Sequence, residues 1–126
     1  MLEEIIIEVE NDQPGTLAEI GELLGKSGTN IESLASSSHL GRGVIHLVVD
    51  DGEDAGEMLK ANGFKVATVR QVLATTLDDK PGAFGNYCRR LHEAGIDISA
   101  CYVSRRGNGE TEFIFAVDDL QAAKHA

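Results

Sequence analysis

Two short stretches carry the side chains best suited to chemistry. Asp12-Gln13-Pro14-Gly15 and Asp79-Lys80-Pro81-Gly82 each set a carboxylate three residues ahead of a glycine, and both prolines of the chain fall in them. Proline fixes its own φ and biases the residue before it toward an extended backbone, while glycine lets another group approach the main chain closely. Each stretch leads into an apolar segment of helical period, so it delivers the chain to a helix N-terminus, where about four N–H groups lack intrahelical partners. Such an end attracts a carboxylate. Asp12 or Asp79 beside it offers an acceptor for an ammonium, and the combination suits a zwitterion. Pro-Gly before a helix is also ordinary turn chemistry, with the aspartate as a helix cap; the recurrence of the loop shifts the balance toward a shared purpose.

The recurrence has a fixed offset. Asp12 and Asp79, Pro14 and Pro81, Gly15 and Gly82, Gly28 and Gly95, Asn30 and Asp97, and Ile31 and Ile98 are each 67 residues apart. A period that long is a whole small domain rather than a solenoid unit. The expected division is residues 1–70 and 71–126. Asn30 and Asp97 open the strand after each helix and are expected near the same sheet end as the loops.

Periodicity places the elements around these residues. In repeat one, strands are expected at Glu4–Glu10, Ile31–Ser38, Val44–Asp50 and Phe64–Val69. Helices are expected at Thr16–Lys26, with Leu17, Ile20 and Leu24 on one face, and at Glu53–Ala61 with Ala55, Met58 and Leu59. Gly28 stands where a helix C-terminal glycine belongs. Repeat two follows with strands at Val72–Leu77, Ile96–Val103 and Glu112–Val117, and a helix carrying Phe84, Tyr87, Cys88 and Leu91. Asp118-Asp119 mirrors Asp50-Asp51 at an offset of 68, so one extra residue is expected in the preceding turn. The chain ends at Ala126 inside the second helix of this repeat, which is therefore expected to lack its last strand. Strand-helix-strand-strand-helix-strand closes as an antiparallel sheet with both helices on one face. The fold class is thus α+β: two ferredoxin-like βαββαβ units, the second truncated. The bare first strand of the second unit predicts association with a second copy, hence a homodimer.

Composition narrows the function. The net charge is −10, and it is uneven: residues 1–67 hold 4 basic against 13 acidic side chains, residues 68–126 hold 7 against 8. Such a surface repels phosphate backbones, so no nucleic-acid partner is expected. No apolar run is long enough to cross a membrane, and Met1-Leu2-Glu3-Glu4 lacks the basic start of a signal peptide, so the expected location is cytoplasmic. Cys88 and Cys101 then read as free thiols, with a disulfide or a metal pair as the alternative. His39, His46, His92 and His125 do not fall at metal-ligand spacing. Ser38 and His39 are neighbours on a strand and point to opposite faces, so they do not make a nucleophile and base. Gly25-Lys26-Ser27 lacks the glycine-rich loop of a phosphate binder. No cofactor and no enzyme activity are expected.

These motifs, in order and twice, resemble ACT domains: a strand ending in Asn/Asp-x-Pro-Gly, an apolar helix, then Gly-x-Asn-Ile. Gly28-Thr29-Asn30-Ile31-Glu32-Ser33-Leu34 is also similar to small regulatory subunits of acetolactate synthase. The resemblance implies a regulatory protein that binds an amino acid where two ACT units meet. It implies a site of Asp12, Gly15, Thr16, Leu17 and Asn30 in repeat one, and of Asp79, Gly82, Ala83, Phe84 and Asp97 in repeat two. Repeat one is the better candidate, because Asp79 and Asp97 together repel a carboxylate and Phe84 is bulkier than Leu17. The alternative is a ligand-free interaction module or regulatory subunit, and an amino-acid metabolic enzyme is a candidate partner.

Overall fold

The computed structural model describes all residues, Met1–Ala126. They form two compact units, Met1–Arg70 and Gln71–Ala126. The first contains β1 (Glu3–Val9), α1 (Thr16–Lys26), β2 (Ser33–His39), β3 (Arg42–Val49), α2 (Gly52–Ala61) and β4 (Lys65–Gln71). Its sheet has the order β2-β3-β1-β4. β1 and β3 pair antiparallel, with Ile5 opposite Leu47 and Ile7 opposite Ile45. β2 pairs antiparallel with β3, Ser33 opposite Val48 and Ser38 opposite Gly43.

Alternation along these strands sorts the side chains. Ile5, Ile7, Ile45, Leu47 and Val49 face the helices and form one core with Ile20 and Leu24 of α1 and Ala55 and Leu59 of α2. Ile20 and Leu24 are one turn apart, which puts both on the buried face. Leu17, at the head of the same stripe, is instead 47% exposed. Each helix stops at a left-handed glycine. In α1, Gly28 has φ +73 and lets the Thr29 N–H donate to the Leu24 carbonyl at 2.9 Å; any other residue there bears a Cβ penalty.

The opposite face of the same sheet carries a buried charge. Glu4 is wholly inaccessible, its carboxylate accepting from Arg70 Nε at 2.7 Å and lying 3.0 Å from His46 Nδ1. An isolated buried carboxylate costs several kcal/mol to desolvate, so these partners are needed to hold it in place. Lys65, at the other end of β4, pairs with Glu8 at 3.0 Å and Glu10 at 3.2 Å. Ascending numbers on β4 thus meet descending numbers on β1, as antiparallel strands require.

The second unit contains β5 (Leu73–Asp78), α3 (Ala83–Glu93), β6 (Ile98–Gly107), β7 (Glu110–Val117) and the short α4 (Leu120–Lys124). Its sheet order is β5-β7-β6, the first unit's pattern without a fourth strand. Tyr87, Leu91, Ile96, Phe115 and Ala123 are its core. Phe84, head of the α3 stripe, is 43% exposed, like Leu17 in α1. The helices keep the offset of 67, but the strands are 68 apart: Ile5–Leu47 corresponds to Leu73–Phe115, and Val9–Gly43 to Leu77–Thr111. Two single-residue insertions reconcile these offsets. Repeat one has one more residue between its first strand and Asp12, at Asn11. Repeat two has a β-bulge, since Val103 pairs with Phe113 and Arg105 with Glu112, leaving Ser104 over. The extra residue expected in the turn is therefore inside β6.

Both β2–β3 and β6–β7 close through two residues with positive φ, Leu40-Gly41 (+53, +78) and Asn108-Gly109 (+54, +75). Asn-Gly is the favoured pair for this mirror-image turn, whereas leucine at its first position works against the Cβ. Leu40 is 89% exposed and gains nothing by burial. Leu40→Asn is expected to stabilise the protein by about 1 kcal/mol in chemical denaturation. Arg70→Ala is expected to cost on the order of 3 kcal/mol in the same assay, because it leaves Glu4 short of a charged partner. A loss below about 0.5 kcal/mol would class the pair with exposed ones.

Candidate functional site

The Asp12 loop lies between the end of β1 and the start of α1, against the β2–β3 hairpin. Its anchor is the Asp12 N–H, which donates to the Gly41 carbonyl at 2.7 Å. Gly15 precedes the helix at φ +99, a conformation closed to a β-carbon, and α1 has no side-chain cap. Thr16 Oγ1 donates to the Gln13 carbonyl at 3.1 Å. Asp12 therefore does not serve as the helix cap, and its carboxylate has neither an ion pair nor a hydrogen bond. The N–H groups of Leu17 and Ala18, in the first turn, have no carbonyl one turn back to reach.

A cavity of about 230 Å³ opens here. Asp12, Gln13, Gly15, Thr16 and Leu17 line one side, Ser36, Ser37 and Ser38 the other, and Val9, Gly43 and Ile45 the floor. Of the five residues assigned to this site by resemblance, Asp12, Gly15, Thr16 and Leu17 meet at the cavity. The serines complete it. Ser36 and Ser38 stand opposite Ile45 and Gly43, on the helix side of the sheet. That placement follows from register, and the serines' sequence neighbours do not disclose it. On the reverse side of the hairpin a broader depression of about 680 Å³ includes Glu8, Glu10, Arg42 and Lys65. Its Lys65 ammonium is already held by the two glutamates.

Asn30 is not in the cavity. Expected beside the Asp12 loop, it lies at the other end of the sheet: β2 begins next to Val48 and Glu4 and reaches the Gly43 end only at Ser38. A strand-helix-strand crossover returns the chain to the end where the first strand began, so the second strand starts there. Seven residues of extended chain put roughly 20 Å between Asn30 and the loop. Asp97 stands likewise at the far end of its sheet, its N–H donating to Asp118 Oδ1 at 2.9 Å. It is therefore not beside Asp79, and the expected repulsion between the two does not arise within the unit.

Asp79 has a partner that sequence reading missed. Arg106 grips its carboxylate with Nε at 2.9 Å and Nη2 at 2.8 Å. The Asp79 N–H donates to the Gly109 carbonyl at 2.9 Å, repeating the Asp12 anchor, and Gly82 repeats Gly15 at φ +91. The Arg106 hydrogen bonds are the main reason the Asp79 carboxyl titrates below its ordinary range; partial desolvation opposes them, and Thr111 adds a lesser hydrogen bond. Phe84 covers the apolar side, its ring 4.9 Å from Phe113 and 6.2 Å from Phe115. Ala83, counterpart of Thr16, brings no hydroxyl.

Elsewhere the chemistry is sparse. Cys88 and Cys101 are free thiols. Burial, with a smaller contribution from Cys88, pushes the Cys101 thiol up to about 11, which leaves little thiolate at neutral pH. No group of His, Cys, Asp and Glu is gathered to hold a metal ion. No helix is long and apolar enough to cross a membrane.

Solved structures place this architecture among known ones. A Bacteroides thetaiotaomicron protein superposes with a TM-score of 0.83 at 24% identity, over 98% of this chain and 83% of that one. The ligand-free regulatory subunit of aspartate kinase from Thermus thermophilus gives 0.73 at 16% identity, over 99% and 91%. Its counterpart from Thermus flavus also gives 0.73 at 16%, over 98% and 88%. At these identities the likeness establishes the fold. No curated protein sequence matches the chain. The family described as the ACT domain pair matches residues 1–126, its full length. With two βαββαβ-type units and a Pro-Gly loop at the head of each first helix, this chain belongs to the ACT domain pair family, a family of regulatory modules.

Proposed function

We propose that the first unit binds a small free amino acid in the Asp12 cavity and thereby controls the assembly of the chain with itself or with an enzyme. The observation that carries this reading is the pairing of an unneutralised Asp12 carboxylate with an uncapped helix N-terminus across a cavity of about 230 Å³. The carboxylate accepts the ammonium, and the first-turn N–H groups receive the carboxylate. The volume is below the about 300–1,000 Å³ of drug-sized sites, which favours a small ligand. Ser36, Ser38, Thr16 and Gln13 favour one with a polar side chain.

Asn30 enters this reading through a second copy. In a two-fold dimer of first units, the Asn30 end of one sheet meets the Asp12 end of the other, and each copy completes the other's site. Ligand binding then favours the dimer by mass action, and the dimer binds more tightly than the monomer. The Thermus regulatory subunits belong to aspartate kinase; an enzyme of amino-acid metabolism is the corresponding partner here. For the second unit, the occupied Asp79 favours the other reading, a ligand-free interaction module.

A thermal-shift panel of the common amino acids, followed by calorimetry, tests the proposal. At least one is expected to raise the midpoint, while its decarboxylated amine does not. Asp12→Ala is expected to weaken binding about 10- to 100-fold, the range of a hydrogen bond to a charged group, with Asp79→Ala near wild type. Equal losses from both variants would defeat the ranking of the sites, and an amine analogue that bound equally well would remove the helix cradle. Sedimentation at micromolar concentration is expected to show a dimer that tightens with ligand. A monomer in both conditions would exclude the shared site.

A further inference from the structure

We propose that Arg106 is an intramolecular occupant of the second loop site, its guanidinium taking the place at Asp79 that a ligand's cation takes at Asp12. The chain then offers one open site where its repeat implies two. The comparison with Asp12 rests on the reading just given; the assignment of Arg106 to the Asp79 loop does not.

The two repeats can be matched atom group by atom group. Asp12 and Asp79 are each anchored to the hairpin glycine carbonyl, at 2.7 and 2.9 Å. In unit one the pairing runs Val9 to Gly43 to Ser38; in unit two it runs Leu77 to Thr111 to Arg106. Arg106 thus stands where Ser38 lines the open cavity, on the same side of its sheet. A serine side chain ends one atom past its β-carbon and leaves the space before Asp12 free. An arginine spans that space and closes a two-pronged bond on the carboxylate, a planar match of fork to fork. Thr111, in place of Gly43, adds its hydroxyl to the same carboxylate. Phe84 and Phe113, in place of Leu17 and Ile45, meet as tilted rings with centroids 4.9 Å apart and fill the apolar side. Polar and apolar parts of the site are therefore filled together by side chains of the unit itself.

The pair is not a strut of the fold. The Arg106 side chain is 68% exposed and that of Asp79 35% exposed, and ion pairs so placed contribute little to stability. A solvated guanidinium on a flexible stem is a displaceable occupant.

The test follows the Asp79 carboxyl by NMR pH titration in the full chain, with ethylguanidinium as the probe cation. In wild type, Asp79 is expected to titrate below the ordinary carboxylate range and to respond to the probe only at high concentration. In Arg106→Ser it is expected to return toward that range. The probe then draws it down again, perturbing the 79–84 loop and the 104–111 hairpin at concentrations about tenfold lower than in wild type, as loss of one charged hydrogen bond implies. Arg106→Lys is expected to hold Asp79 partway and to blunt the response. An unchanged Asp79 titration in Arg106→Ser overturns the proposal, as does a probe response equal to that of wild type. Loss of fold in both Arg106→Ser and Arg106→Gln overturns it too, because it makes the pair a folding requirement. An amino-acid panel that found no ligand for unit one would refute the proposed function and leave the Asp79 readout intact.

Discussion

The antiparallel pairing of β1 with β3 is the constraint on which everything else depends. These strands are joined through α1 and β2, so their register is set by burial rather than by a turn. Ile5 and Ile7 must face the helices beside Leu47 and Ile45. A slip of one residue would bring the Glu4 carboxylate into the apolar core and send the isoleucines to the other face. Once that register is set, Val9 lies against Gly43, and the loop after Val9 meets the β2–β3 hairpin. The cavity follows from this meeting: its acid comes from the loop, its hydroxyls from the hairpin, and its helix terminus from the chain's return.

The same scaffold carries one loop in two states, with Asp12 unpaired in the first unit and Asp79 held by Arg106 in the second. The backbone of the second unit keeps the Pro-Gly loop, the left-handed glycine and the hairpin anchor. The site side chains differ: among others, Arg106, Thr111, Phe113 and Phe84 replace Ser38, Gly43, Ile45 and Leu17 in the matched positions. The buried helix positions beneath stay apolar or aromatic, Tyr87 and Leu91 succeeding Ile20 and Leu24. Separation of core from site by strand and helix period lets one vary while the other is held.

Local chemistry was legible and pairing was not. Both loops, the extents of α1 and α3 and the glycine stops could be read because each depends on residues within a turn or two of one another. Asp12 and Gly15 at the cavity followed from the loop itself, whereas Thr16 and Leu17 were implied by the family resemblance. Ser36 and Ser38 gave no such signal, since their place at the cavity depends on Gly43 and Ile45 across the ladder. Arg106 carried no signal in the sequence for the same reason. Its partner is 27 residues away in sequence, and the bulge at Ser104 shifts its alternation. The fixed offset concealed this shift by holding at the helices and not at the strands. Leu17 and Phe84 head their helical stripes yet stay half exposed, because helical spacing gives the face and not how far along it the sheet extends. Glu4, in an acidic strand, gave no sign that the other face of the sheet was buried.

The position of Asn30 shows how a correct element list can carry a wrong adjacency. Asp12 and Asn30 flank one helix, and helix ends are far apart by construction: α1 has 11 residues, about 16 Å at 1.5 Å per residue. Residues that bracket a crossover helix are therefore kept apart within a unit, whatever their chemistry. If both contact one small ligand, the contact must cross between units that run in opposite directions. Such a site is two half-sites, each incomplete in a single unit. In the proposed function that incompleteness is the source of regulation: a ligand that bridges both halves binds the assembled state better than its parts, and only such differential binding lets a small molecule shift an assembly.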